Sequence, residues 1–185
     1  MMRLLIAAIV LVWSSNLEFS AQEVEINWMT IEEVTEAIKD EPRKVMMDVY
    51  TKWCGPCKMM MANTFTNKNL IEYVNKNYYC VKLDAESPDP IMYKGTVYSN
   101  PNFNPNSKLR NSVHQLSMAL NVSAYPTIVF FDEDLNVIAP SPGYKQPRQL
   151  QLFLTFFNDI FKSDTPPAQR QPMWNKYSSD FVGTW

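Results

Sequence analysis

The chain has 185 residues, room for one ordinary domain with tails. Hydrophobic residues make up 46% and charged residues 19%, so the composition is globular and excludes disorder throughout. Lys and Arg number 17 against 19 Asp and Glu, which leaves no basic excess to neutralise phosphates and argues against nucleic-acid binding.

In chain order, Met1-Met2-Arg3 opens with positive charge. An apolar run follows from Leu4 to Trp13, then a polar stretch from Ser14 to Gln22. This is the order of a secretory signal peptide, expected over residues 1–21. The apolar run is shorter than the roughly 20 residues a membrane span needs. The mature part is therefore expected to work in the periplasm or outside the cell, where disulfides persist.

Val24 to Trp28 reads as a short strand. Thr30 and Glu33 form a capping box, and Ile31, Val34 and Ile38 recur at helical spacing up to about Asp40. Lys44 to Thr51 is an apolar run broken by one carboxylate, as in a buried central strand. Helices are predicted over Gly55–Asn63 and Asn67–Asn75, and a strand over Tyr78–Asp84. Residues 88–111 are rich in Pro, Asn, Ser and Tyr and show no period. A helix is predicted over Val113–Leu120, a strand over Thr127–Phe131 and its hairpin partner over Asn136–Ala139. A last amphipathic helix, Pro147 to Ile160, carries Leu150, Phe153, Leu154 and Phe157. Residues 163–185 read as a Pro-rich, aromatic tail. The alternation of strands and helices predicts an α/β fold, a central mixed sheet with helices on both faces.

The chemistry concentrates in Trp53-Cys54-Gly55-Pro56-Cys57-Lys58. The two cysteines lie one helical turn apart at a strand-to-helix junction. Cys54 takes the helix N-terminus, where free N–H groups and the macrodipole favour an anion, so its thiol is expected to be the more acidic and the more exposed. Cys57 sits deeper and reaches back, and Pro56 starts the helix and restrains the ring. Two sulfurs so placed open and close a small disulfide. Cys54 attacks a foreign disulfide, and Cys57 resolves the mixed disulfide. A lone C-x-x-C also suits half a zinc site or a structural disulfide. Zinc would need two more soft ligands, and Cys80 and the single histidine, His114, come in no paired spacing. No metal site is expected, and no cofactor beyond a redox-active Cys54–Cys57 disulfide.

The stretch from Asp48 to Lys58, D-V-Y-T-K-W-C-G-P-C-K, resembles the active site of the thioredoxin superfamily, and the element order extends that resemblance over about Val24 to Lys162. The segment after the motif is similar to extracytoplasmic bacterial members, among them the C-terminal thioredoxin-like domain of transmembrane disulfide reductases. The resemblance implies a thioredoxin fold over residues 22–162 and an exported thiol:disulfide oxidoreductase. Asp48 matches the family's buried carboxylate, implied to relay a proton to Cys57. A charge in an apolar strand points the same way, since it is costly without a task or partner. Lys82 matches a supporting lysine near that carboxylate. Pro126 matches a cis-proline opposite the dithiol, with the Tyr125 backbone beside a bound peptide. Gly143 matches a small residue of the substrate groove, and it also suits a plain turn. Trp53, Gly55 and Pro56 complete the surface offered to substrate. Gly-Pro between the cysteines resembles the reducing members. A reductase outside the cytoplasm implies protein thiol and disulfide partners and a membrane-bound electron donor. The protein is expected to act as a monomer.

Two stretches depart from the family pattern. The insertion at about 86–111 is expected to be a lid or partner surface. The tail either packs back on the domain or binds a partner through Trp174, Tyr177, Phe181 and Trp185. Met46, Met47, Met59, Met60 and Met61 crowd the motif in sequence. With Cys54, Cys57 and His114 they leave an alternative open, a copper-binding or redox-regulated interaction module on the same fold.

Overall fold

The computed structural model describes residues 24–185, so the expected signal peptide lies outside the described residues. A five-stranded sheet forms the centre, in the order β1-β3-β2-β6-β7. Strands β1 (Trp28–Met29), β2 (Lys44–Tyr50) and β3 (Tyr78–Asp84) run parallel. Strands β6 (Thr127–Phe131) and β7 (Val137–Pro142) add antiparallel beyond β2. The sheet is mixed, as the sequence predicts, and β2 is its buried middle. The first strand begins later than predicted and is only two residues long.

Side chains alternate across the strands. On one face, Val45, Met47, Val49, Val81, Leu83, Val129 and Phe131 pack with Ile31 and Val34 of α1 (Ile31–Asp40) and Leu116 of α4 (Gln115–Ala119). The Thr30–Glu33 capping box closes the N-terminus of α1 in both directions. On the other face, Met46, Cys80, Ile128 and Phe130 meet Met60 of α2 (Gly55–Asn63). Leu70, Ile71 and Val74 of α3 (Lys68–Asn77) and Leu150 and Leu154 of α5 (Pro147–Thr155) complete that core. A π-helical turn, Phe156–Ile160, continues α5.

The insertion contains a hairpin that its Pro- and Asn-rich composition does not signal. Strands β4 (Ile91–Tyr93) and β5 (Thr96–Tyr98) form a hairpin around Lys94 and Gly95, both in the left-handed region at φ 50° and 76°. A two-residue hairpin loop needs that backbone, and glycine supplies it without strain. Tyr93 is buried, its ring 6.0 Å from Phe131 and its hydroxyl donating to the Leu135 carbonyl at 2.6 Å. The hairpin is thus part of the core.

Residues 99–111 remain irregular, as expected, and α4 begins at Gln115, two residues later than predicted. The neck of this loop is closed by Asn100, whose amide donates to Ser112 O at 2.8 Å while Ser112 Oγ donates back to Asn100 Oδ1 at 2.6 Å. A second pair zips Asn104 to Asn111.

The tail forms a helix, α6 (Pro167–Asp180). Its prolines, Pro172 in the interior included, hide a helical spacing in Met173, Trp174, Tyr177 and Phe181. Trp174 packs 4.9 Å from Phe153 and 5.1 Å from Phe156, and Tyr177 donates to Thr155 Oγ1 at 2.8 Å. Among the described residues, no helix is long and apolar enough to cross a membrane.

Candidate active site

The motif folds as the sequence requires. Strand β2 ends at Tyr50, the chain turns through Thr51–Trp53, and α2 starts at Gly55 with Pro56 in its first turn. Cys54 is the N-cap, and its sulfur accepts a hydrogen bond from Cys57 N–H at 3.1 Å. Cys54 and Cys57 are joined as a disulfide, with Sγ atoms 2.09 Å apart and Cα atoms 5.3 Å apart.

One expectation is corrected. Cys54 is not the more exposed partner, since the two cysteines are 2% and 4% exposed. Both cysteines are buried, and Trp53, Gly55 and Pro56 form the exposed edge of the motif. What distinguishes Cys54 is its place at the helix N-terminus, where α2's N–H groups stabilise a thiolate.

Asp48 lies on the α2 side of the sheet, in the strand register of Lys82. It is 2% exposed, and its Oδ1 takes no hydrogen bond. Burial raises its carboxyl from 3.8 to about 6, against the opposing pull of the Lys82 ammonium. Burial that outweighs the Lys82 charge destabilises the carboxylate form, so the site holds Asp48 ready to accept a proton near neutral pH. Burial in turn lowers Lys82, partly offset by Asp48. The Lys82 ammonium touches Met61 of α2 and lies 5.0 Å from the rings of Trp28 and Tyr50.

At the start of β6, the Tyr125–Pro126 peptide is cis. Gly143 N–H donates to Pro126 O at 2.7 Å, which brings the β7 turn against this bond. Gly143 has φ +87°, and a Cβ there would meet nothing within 4 Å. The position is thus both a turn glycine and an open wall beside Pro126. Trp53 sits edge-on to Tyr125 with ring centroids 6.0 Å apart. Cys54, Cys57, Asp48, Lys82, Trp53, Tyr125, Pro126 and Gly143 are therefore gathered at one end of the sheet.

Several neighbours escape sequence reasoning. Glu86 accepts from Trp53 Nε1 at 2.9 Å, and the Arg110 guanidinium lies 3.9 Å over the Trp53 ring. Lys145 is buried, and its ammonium donates to the carbonyls of Ser141, Pro142 and Gly143 at 3.0, 2.9 and 3.1 Å. Burial pulls it down from 10.5 to about 8, while three carbonyl acceptors favour the charged form. Its own carbonyl accepts from Thr64 Oγ1 at the end of α2, so it ties the Gly143 turn to the dithiol helix. A lysine two residues after a glycine carries no signal for this role in sequence.

The soft-metal constellation comes apart. Strand alternation puts Met46 and Met47 on opposite faces, and α2 buries Met60 while Met59 and Met61 face outward. His114 is the N-cap of α4, its Nδ1 accepting from Leu116 N–H and its Nε2 meeting Asp89 O at 3.0 Å, so both nitrogens are engaged. Cys80 is buried among apolar side chains, which pushes its thiol well up.

Sheet order and dithiol position define the class: this is a thioredoxin-like oxidoreductase fold with a C-x-x-C disulfide. The chain belongs to the family described as thioredoxin-like domain, which matches residues 31–158. Among solved structures, it is similar to a thioredoxin-fold protein from Helicobacter pylori, at 14% identity and a TM-score of 0.53, with 80% of this chain and 98% of that one covered. A thioredoxin from Thermus thermophilus matches at 14% identity and a TM-score of 0.52, covering 70% and 85%. The oxidised C-terminal domain of DsbD from Neisseria meningitidis matches at 17% identity and a TM-score of 0.45, covering 69% and 89%. No curated protein matches the chain.

Proposed function

We propose that the protein is an exported thiol:disulfide oxidoreductase that reduces protein disulfides. One observation carries the reading: Cys54 caps α2 and is bonded to Cys57, on the side of the sheet that holds the buried Asp48, whose Oδ1 takes no hydrogen bond. In the reduced protein, the Cys54 thiolate attacks one sulfur of a substrate disulfide. That S–S bond breaks, a mixed disulfide forms, and the leaving thiolate takes a proton. Asp48 accepts the Cys57 proton, and the Cys57 thiolate attacks Cys54 Sγ. The second substrate thiol leaves, and the protein retains both oxidising equivalents as the Cys54–Cys57 disulfide. A dithiol donor resets it, in this reading a membrane-bound one. The substrate chain lies along Tyr125, whose backbone N–H and C=O take no protein partner among the described residues.

The Gly55-Pro56 pair supports the reducing direction, and the leader-like residues 1–21 support work in the periplasm or outside the cell, as a monomer on protein substrates. Reduction of insulin with dithiothreitol as donor tests the activity. A dithiol potential near about −270 mV is expected, and one near about −120 mV would make the protein an oxidant instead. Fractionation of cells expressing the full chain tests export, and retention in the cytoplasm would overturn it.

A further inference from the structure

The second half of the insertion lies beside the active-site motif at Trp53. Arg110, near the end of the loop closed by Asn100 and Ser112, lays its guanidinium 3.9 Å over the ring of Trp53, the residue before Cys54. A cation held over a ring face takes no hydrogen bond from it, so the five N–H donors of the guanidinium stay available to another acceptor. Among the described residues no acceptor takes a hydrogen bond from Arg110 and no carboxylate pairs with it, and the residue is exposed. The neighbouring carboxylates make their contacts elsewhere. Lys52 pairs with Asp84 at 3.4 Å, and Glu86 is held by the Trp53 indole N–H at 2.9 Å. The same flank forms a cavity of about 410 Å³, lined by Trp53, Glu86, Phe103 and Leu109 among others. Trp53 directly precedes Cys54, so this flank borders the residue to which a substrate cysteine would be bonded.

We propose that Arg110 is a specificity-determining residue of the exchange site, selecting protein disulfides whose reacting cysteine is flanked by an Asp or Glu. A fork of free donors anchored on a rigid indole suits a carboxylate in two-point contact, and it repels a lysine at the same place. The proposal rests on the disulfide-exchange reading. It requires no change in the chemistry at sulfur, because Arg110 acts on the substrate's neighbouring residue and not on the bond exchanged.

The test uses the full-length protein and short synthetic peptides, each with one disulfide, that differ only in an Asp, Asn or Lys beside the reacting cysteine. Second-order rates are measured in both directions, from reduced protein on peptide disulfide and from oxidised protein on peptide dithiol. The expected order is Asp over Asn over Lys, spanning roughly tenfold at low salt and shrinking as salt rises. Arg110→Gln should collapse the span to within about twofold while reduction of a small uncharged disulfide is unchanged, and Arg110→Lys should keep part of it. Equal rates for the three peptides, or a span that survives Arg110→Gln, would overturn the assignment. Failure of the reductase reading would look different: peptide dithiols would be oxidised with the same Asp preference while insulin stayed intact, and Arg110 would keep its role.

Discussion

Along β2, Val45, Met47 and Val49 point to one side of the sheet, and Met46 and Asp48 to the other. The first side is mainly apolar and is closed by α1, α4 and the β4–β5 hairpin through Tyr93. The second carries a buried carboxylate and a half-buried lysine under the dithiol helix, and α6 adds Trp174 and Tyr177 at its far end. The two sides share strands but not purpose. One is built for burial, where every methylene removed from water adds to stability. The other gives up some of that to hold a charge that a well-packed core would exclude. Each extra segment covers a different side, the hairpin one and the C-terminal helix the other.

The comparison breaks most completely at the dithiol. Cys57→Ser should abolish turnover and leave Cys54 locked in mixed disulfides with its partners, whereas Cys54→Ser should trap none. Non-reducing electrophoresis of both variants reads this out. Equal trapping would show that the roles of the two sulfurs are misassigned. Cys80 cannot substitute, because burial keeps its thiol protonated.

Asp48→Asn separates activity from stability on the same side. Turnover should fall roughly 10²-fold as the proton acceptor is lost. Stability should rise. In the unfolded chain the carboxyl ionises near 3.8, and in the folded chain near 6. The folded state therefore holds a proton that the unfolded state has lost between those values. Wild-type stability falls as pH climbs through that window, and the penalty is full above it. Asn does not titrate, so its advantage should be small at pH 4 and reach up to about 3 kcal/mol at pH 7.5. Thermal unfolding of both proteins at the two pH values checks the sign.

On the apolar side the expected pattern is the reverse. Tyr93→Ala should cost about 3 kcal/mol through lost ring packing on Phe131 and an unpaired Leu135 carbonyl, with turnover per folded molecule unchanged. Denaturant unfolding and active-site titration separate the two readings.

Lys145→Met keeps the apolar stem and removes three bonds to the Gly143 turn. Peptide KM should rise several-fold with kcat nearly constant, because the groove loosens while the dithiol stays in place. The smallest expected effect belongs to the loop inside the Asn100–Ser112 neck. Replacing Pro101–Asn111 with two glycines should change stability by less than about 1 kcal/mol, since the neck already brings the ends together. Removal of all of 88–111 would take Tyr93 with it and should destabilise the domain strongly. That contrast confines any lid or partner role to the second half of the insertion.

The sequence by itself determined the sheet's central strands, the span of α2, the N-cap position of Cys54 and the odd carboxylate at Asp48. These rest on local signals: hydrophobic period, capping residues, Pro56 in a first turn and one charge in an apolar run. The hairpin was half visible, since β-forming residues flank Lys94-Gly95 on both sides, but the Pro- and Asn-rich surroundings masked it. In α6, Pro166, Pro167 and Pro172 outweighed a real apolar spacing. Tertiary structure alone decided that Met46 and Met47 part company, that His114 spends both nitrogens on backbone, that Lys145 gathers three carbonyls, and that Arg110 lies on Trp53. Each depends on segments far apart in the chain meeting in space. No residue pattern encodes such a meeting until the sheet has fixed which side each side chain faces.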